Sequence, residues 1–149
     1  MKTVEEPSAR ECNCLAIRQA SRHVSQFYDQ ILAPSGIRTT QYAILSRLQR
    51  GGPMPINALA AALVMDRTTL GRNILPLERD GLIEIGASPQ DRRRRELRLT
   101  PAGREKYRQA VECWAVAQQR FDQVFGDERA AHLRDLLREV TASDFAAAS

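Results

Sequence analysis

Four consecutive arginines are the most concentrated chemical feature of this 149-residue chain: Arg92, Arg93, Arg94 and Arg95. Adjacent guanidinium groups repel one another and gain little from a folded core, so such a run is usually a solvated surface. Turn-forming residues precede it at 88–91, and residues 96–99 alternate polar and apolar as a half-buried strand does. With an apolar segment at 82–87, the pattern predicts a β-hairpin that carries the arginines at or near its tip. Guanidinium groups placed there could follow a phosphate backbone or enter a minor groove.

A second set of polar side chains has the spacing of one helix face. Leu70, Ile74 and Leu77 recur every three or four residues and define the inward face of a helix predicted over 67–79. The remaining faces carry groups that fit base edges in a major groove, although an ordinary solvated face is the alternative for this helix alone. Pro76 is expected to bend the helix, so base reading is predicted for the N-terminal half of the helix, before the bend. The candidates for DNA contact on this helix are Arg67, Thr68, Thr69, Arg72 and Asn73.

The helix at 67–79 has a short helical neighbour. Apolar residues at 56, 59, 60 and 63 predict a helix there, and Met65-Asp66 leaves only a brief break before the next one. Asp66 is predicted to cap the second helix, and Gly81 to end it in a left-handed conformation. Two short helices joined by a tight turn form a helix-turn-helix arrangement.

Longer helical patterns flank this unit. One covers 12–32, and the helix after it is predicted to be capped by Thr39 or Thr40. Two more helices are predicted after the hairpin, the first capped by Thr100 and the second by Asp127. The predicted fold is therefore mainly α with a small β-hairpin wing, a winged helix-turn-helix.

The hairpin and its flanks resemble the MarR family of bacterial regulators. Asp91-Arg92-Arg93, followed by Leu99-Thr100 and Gly103, is similar to the wing signature of that family, in which an Asp and an Arg two residues on precede a Leu-Thr and a Gly. Residues 66–70 and 77–83 resemble the start and the end of its recognition helix. The resemblance covers nearly the whole chain, and it implies a transcriptional regulator, commonly a repressor, that binds double-stranded DNA.

The resemblance also implies an assembly. It suggests a homodimer in which residues 11–35 and 101–146 form a helical dimerisation region around a DNA-binding lobe at 37–100, all within a single domain at 1–149. Two recognition helices would then lie ~34 Å apart on a pseudo-palindromic operator. Asp91 would pair with Arg93 to shape the wing, and Arg92, Arg94 or Arg95 would reach DNA.

Regulators of the resembled family often release DNA when a small, commonly aromatic molecule binds between the dimer helices and the DNA-binding lobe. The candidates for lining such a cleft are Arg18, His23, Phe27 and Tyr42. A histidine such as His23 on a mostly apolar helix is more often a structural residue than a ligand contact, and residues such as Phe27 and Tyr42 are more often part of the core.

The cysteines suggest another form of control. Cys12 and Cys14 lie near a helix N-terminus, where thiols can become oxidation sensors, and the peroxide-sensing members of the resembled family carry a cysteine in this region. A Cys-x-Cys pair is poorly placed for an internal disulfide, which leaves a bridge between subunits as the option. The alternative is that both are ordinary thiols, and Cys113 is expected to be buried.

Other function classes find less support in the sequence. With two histidines, no visible catalytic arrangement and no zinc spacing, neither an enzyme nor a metal or cofactor site is expected. A net charge of +4 is compatible with a polyanionic partner. The longest apolar run, 58–65, is too short to span a membrane and no export signal is seen, which predicts a cytoplasmic protein. A winged-helix module that binds proteins rather than DNA remains an alternative, against which the basic hairpin argues.

Overall fold

The computed structural model describes residues 8–147. This part of the chain is mainly helical with one antiparallel hairpin, and the predicted fold class is confirmed. The helices and strands are α1 (Asn13–Leu32), α2 (Thr39–Gly51), α3 (Ile56–Leu63), α4 (Arg67–Arg79), β1 (Ile83–Ala87), β2 (Arg95–Leu99), α5 (Pro101–Phe125) and α6 (Asp127–Ala142). Among residues 8–147, no helix combines the length and the apolar character needed to cross a membrane.

The described residues form two compact units that divide within α5. The first extends to Trp114 and contains the helix-turn-helix and the hairpin, and the second begins at Ala115 and contains α6. The assignment of a DNA-binding lobe to 37–100 and of dimerisation segments to 11–35 and 101–146 stays a prediction.

The core of the first unit fixes α4 from one side. Leu70, Ile74 and Leu77 are buried, as the helical spacing predicts, in a cluster with residues of α2 and α3 such as Leu45 and Leu59. Burying each such side chain stabilises the fold by about 1.5–3 kcal/mol relative to leaving it exposed. The polar sides of α4 are thereby held outward.

The hairpin is joined to the same core by its second strand. The strands pair from Ile83↔Leu99 to Ala87↔Arg95, and Ile83, Leu97 and Leu99 are buried. Leu97 also exchanges two main-chain hydrogen bonds with Met54, at 2.8 and 3.1 Å, in the connection between α2 and α3. The strand β2 is therefore hydrogen-bonded on both of its edges, to β1 on one side and to the connection between α2 and α3 on the other.

Two predicted helix caps are wrong. Arg38, not Thr39 or Thr40, is the N-cap of α2, and the N–H of Thr39 donates to Asp29 Oδ1 of α1 at 2.7 Å. Gly126, with φ of 99°, is the N-cap of α6, so Asp127 is the first helical residue. In the first case a carboxylate from another helix supplies the cap, which local sequence does not reveal. Thr100 caps α5 as predicted, since its Oγ1 accepts the Gly103 N–H at 3.0 Å.

The second unit packs α6 against the C-terminal part of α5. Ala117 and Ala130 are buried, and the Arg129 guanidinium lies 4.3 Å from the centre of the Phe125 ring. Part of α6 stays uncovered in the single chain, because three of its large apolar side chains are exposed: Leu136, Leu137 and Val140.

Candidate nucleic-acid interface

The N-terminus of α4 is organised by its capping residue. Asp66 Oδ1 accepts the N–H of Thr69 at 2.8 Å, and Asp66 Oδ2 accepts the Thr69 hydroxyl at 2.7 Å. These two hydrogen bonds from Thr69 hold the pKa of the Asp66 carboxyl below its usual value. The predicted cap is confirmed. Because the Thr69 hydroxyl donates its hydrogen to Asp66, Thr69 Oγ1 can act towards DNA only as a hydrogen-bond acceptor.

Besides Thr69, the other four candidate residues of α4 fall into two groups. Arg67, Thr68 and Arg72 are exposed, and their side chains have no hydrogen-bond or ion-pair partner among residues 8–147. Asn73 is half-buried and donates from Nδ2 to the Thr69 carbonyl oxygen at 2.9 Å. The first group can contact DNA as it stands, whereas the Asn73 amide would have to turn away from its own helix to read adenine in two hydrogen bonds.

The tip of the hairpin is a hydrogen-bonded loop at 88–94. The Ser88 N–H donates to the Arg94 carbonyl at 2.8 Å, and the Arg94 N–H donates to the Asp91 carbonyl at 3.0 Å. Asp91 Oδ1 accepts the main-chain N–H of Arg93 at 3.0 Å. The contact of Asp91 with Arg93 is thus made through the main chain and leaves the Arg93 guanidinium free. This arrangement is an Asx turn, which projects Arg92 and Arg93 from the tip.

The hairpin presents a strongly positive surface. Residues 91–98 contain five arginines and two carboxylates. The side chains at 92–95 are exposed, and none of them takes part in an ion pair within 4.0 Å in the described part of the chain. Unpaired arginines on an anchored hairpin are suited to phosphate oxygens, which they can contact without first breaking an internal ion pair.

Arg98 does a different job from the other arginines. It is half-buried, and its Nη2 donates to the Ala87 carbonyl at 3.1 Å and to Glu96 Oε1 at 3.2 Å. The guanidinium lies across β1 above Gly86, where an added Cβ would be 3.8 Å from Nη2. Arg98 therefore braces the two strands. The sequence signal for this role is its spacing of two residues from Glu96, which places both side chains on one face of β2.

Gly103 of α5 sets how closely the following helix approaches the hairpin. A Cβ at this position would overlap the carbonyl oxygen of Leu82, which accepts the Thr100 N–H at 3.1 Å, and would lie 3.2 Å from Leu99 Cδ2. The Thr100 hydroxyl donates to the Gly81 carbonyl at 2.6 Å. The Leu-Thr and Gly of the wing motif are thus explained by the close packing of the start of α5 against the start of the hairpin.

Comparison with known proteins identifies this combination of elements. The MarR family model matches residues 37–94. The chain is 32% identical to the M. tuberculosis transcriptional regulator MosR, solved in complex with DNA, with a TM-score of 0.75 and coverage of 89% of this chain and 98% of that one. The chain belongs to the MarR family. This MarR-family chain is a transcriptional regulator with a DNA-binding winged helix.

Two further likenesses agree with that assignment. A protein proposed to regulate the hcr operon of Thauera aromatica is 29% identical over 119 residues, which are 80% of this chain and 72% of that protein. The fold of Bordetella bronchiseptica BpsR matches with a TM-score of 0.83 at 21% identity, over 94% of this chain and all of that one. The second of these is a likeness of fold alone.

The predicted effector residues of the MarR-family regulator lie in different surroundings. Arg18 and His23 are exposed on α1, and Phe27 is half-buried with its ring edge against Tyr28 at 5.6 Å. Tyr42 of α2 is only 8% exposed, and its ring stacks on two rings of α5, those of Tyr107 at 5.6 Å and Trp114 at 6.0 Å. Burial raises the pKa of Tyr42 above its ordinary value. Tyr42 is therefore a core residue in this structure.

Two of the regulator's three thiols are accessible. Cys12 is the N-cap of α1, its Sγ accepts the Leu15 N–H at 3.4 Å, and both Cys12 and Cys14 are exposed. Cys113 is half-buried rather than buried. Within residues 8–147, no three His, Cys, Asp or Glu side chains are grouped so that they could hold a metal ion.

Proposed function

We propose that this MarR-family regulator binds a pseudo-palindromic DNA operator as a homodimer and represses transcription, in the cytoplasm where its DNA target lies. One observation carries the proposal: Arg67 and Arg72 of α4 and the arginines of the loop at 88–94 stand on elements that the same hydrophobic core holds in place. These arginines are exposed and have no ion-pair partner among residues 8–147. In this reading α4 enters the major groove, and Arg67, Thr68 and Arg72 meet base edges and phosphates. The loop at 88–94 follows the backbone or enters the neighbouring minor groove.

The homodimer is supported by apolar side chains that the single chain leaves in water. In the first unit, α1 exposes Ile17, and in the second unit, α6 exposes Leu136, Leu137 and Val140. Apolar groups clustered on one helix face usually mark a contact with a partner. A two-fold axis would repeat α4 at the spacing of one DNA turn and so match a palindromic site.

The test is DNA selection followed by matched arginine variants. Genomic fragments bound by the purified protein define the operator, and affinities are then measured for operator and random duplexes at several salt concentrations. Arg72→Ala should lower the preference for the operator by about tenfold or more, because a base contact is worth ~1–3 kcal/mol. Arg94→Ala should weaken binding to all sequences and reduce the salt slope by about one.

Arg120→Ala is the matched control, since Arg120 is an exposed arginine of the second unit. It removes the same charge and should leave both affinities near the wild-type values. If Arg72→Ala and Arg94→Ala also bind like wild type, the residue assignments fail. If the wild-type protein binds no duplex at all, the winged-helix interaction module is the better description.

We further propose that a small aromatic effector releases the operator, with Arg18, His23 and Phe27 as its contacts and the Tyr42 stack behind them. Such a ligand must bind more tightly to the conformation that does not hold DNA than to the conformation that does, because a ligand with equal affinity for both shifts no equilibrium. Aromatic acids titrated into the operator complex should include at least one that dissociates it, and Arg18→Ala should raise the concentration required. If no aromatic compound affects the complex, this part of the proposal fails.

A thiol switch is the second candidate for control, favoured by the position of Cys12 at the cap of α1. The thiol is exposed, and the Leu15 N–H already points at Sγ. Peroxide would oxidise the Cys12 thiolate to a sulfenic acid, and Cys14 of a second subunit could condense with it, forming a disulfide and releasing water.

The Cys12→Ser variant distinguishes oxidation of the thiol from capping of the helix, because a serine hydroxyl can still cap α1 but is not oxidised by peroxide. Cys12→Ser should therefore bind the operator normally but lose any response to peroxide, and the disulfide-linked dimer on a non-reducing gel should disappear with it. An unchanged peroxide response in Cys12→Ser would rule out the switch at this residue.

A further inference from the structure

One apolar side chain interrupts the polar surface of α4. Leu75 is 66% exposed, and it is the only large hydrophobic residue of α4 that is exposed. Single exposed leucines are common on protein surfaces, so exposure by itself indicates nothing. The position of Leu75 on the helix is the informative feature.

Leu75 belongs to the outward stripe of α4. It follows Arg72 by three residues and Thr68 by seven, spacings that place side chains on one face of a helix. The opposite face is the buried one, with Leu70, Ile74 and Leu77. Arg79, four residues beyond Leu75, continues the stripe, so the leucine lies between two exposed arginines. Arg79 forms an ion pair with Asp80 at 3.5 Å, whereas Arg72 has no ion-pair partner among residues 8–147.

We propose that Leu75 determines specificity by packing on a thymine methyl group in the major groove. This inference rests on the proposed function, in which α4 reads the operator. The exposed guanidinium of Arg72, which has no ion-pair partner among residues 8–147, favours a polyanionic surface as the occupant of this stripe rather than an apolar protein surface. The thymine C5-methyl is the apolar group that a base edge presents in the major groove, and a leucine side chain can recognise it without any hydrogen bond.

The expected size of the effect follows from the burial of one methyl group. Removing one buried carbon of this kind changes an equilibrium by about threefold to tenfold. Leu75 would then distinguish thymine from uracil at one position in each half-site, whereas Arg72 would discriminate among bases through hydrogen bonds. The base-reading surface would extend from the first turn of α4 up to the residue before Pro76.

The test removes the methyl group from the DNA and the side chain from the protein. In duplexes that carry the selected operator, each thymine is replaced in turn by deoxyuridine, which lacks only the C5-methyl. The wild-type protein should lose about threefold to tenfold in affinity at one position per half-site. Leu75→Ala should bind the unmodified operator more weakly and should be indifferent to deoxyuridine at that same position. Leu75 is exposed, so this variant should keep the fold, and its Tm verifies that.

Val124→Ala is the matched control, because Val124 is 89% exposed in the second unit and loses a comparable apolar surface. Val124 lies in the predicted dimerisation segment at 101–146, so a change there would alter affinity for every duplex alike. The loss of affinity at each deoxyuridine position should still match that of wild type. The inference is overturned if Leu75→Ala and wild type share one deoxyuridine profile, or if Leu75→Ala instead weakens self-association. If wild type binds the operator but no deoxyuridine matters, this inference falls and the proposed function stands; if wild type binds no DNA, both fall.

Discussion

Replacing Gly103 with alanine should destabilise the protein, although alanine is the better helix former. A Cβ at this position would overlap the Leu82 carbonyl oxygen, and that oxygen is main-chain and also holds the Thr100 N–H. Forcing backbone to move in a packed region costs ~1–3 kcal/mol, and weakening the hydrogen bond adds ~0.5–1.5 kcal/mol. The gain in helix propensity returns about 1 kcal/mol. The net expectation is a loss of about 2 kcal/mol.

The assay is thermal unfolding at one fixed protein concentration, because self-association would make Tm depend on concentration. For a chain of this length, ~2 kcal/mol corresponds to a drop in Tm of about 4–8 °C. Gly71→Ala supplies the control: Gly71 is also helical, and nothing lies within 4 Å of an added Cβ. It should stabilise by up to about 1 kcal/mol. Replacing glycine with alanine should therefore lower the free energy of unfolding at position 103 and raise it at position 71. A Gly103→Ala protein as stable as wild type would refute the steric argument.

Four further predictions concern the turns and the hairpin. Asp91→Ala should weaken operator binding by about fivefold through loss of the Asx turn, while Asp91→Asn, which keeps the acceptor, should stay within about twofold in a fluorescence titration. Val64 is 72% exposed and has a φ of 52°, so Val64→Asn should raise Tm by relieving left-handed strain of about 1 kcal/mol; an unchanged or lower Tm would contradict this. Arg98→Ala should lower the free energy of unfolding by ~1–3 kcal/mol in urea, because Glu96 loses its partner, and an additional Glu96→Gln change should recover part of that loss. The depressed pKa of Asp66 means that its cap contributes stability above the ordinary value of 3.8 and loses it as the pH falls through the lower folded value; acid unfolding of Asp66→Asn should lack this component.

Local patterns determined the elements that carry the interface. The helix at Arg67–Arg79 has the predicted bounds, because both of its ends are specified nearby: Asp66 caps the start, and Gly81, with φ of 72°, supplies the left-handed residue after the end. The hairpin was also predictable, since alternation and turn residues act over a few positions. Where a local signal was missing, the prediction was less accurate. The chain turns at Val64, which has a positive φ without being a glycine, whereas the sequence placed the break at Met65-Asp66.

The sequence by itself therefore determined that arginines, threonines and an asparagine would be carried by one helix and one hairpin, because helical and strand periodicities are read directly from residue spacing. Only the tertiary structure decided which of these side chains remain available. Arg98 is hydrogen-bonded to Ala87 and Glu96, and Asn73 to Thr69, whereas the arginines at 92–95 have no ion-pair partner within residues 8–147. Which side chains find an internal partner depends on where carbonyl and carboxylate oxygens lie once the chain has folded. The same is true of Gly103, whose necessity becomes visible only when the Leu82 carbonyl is packed against it.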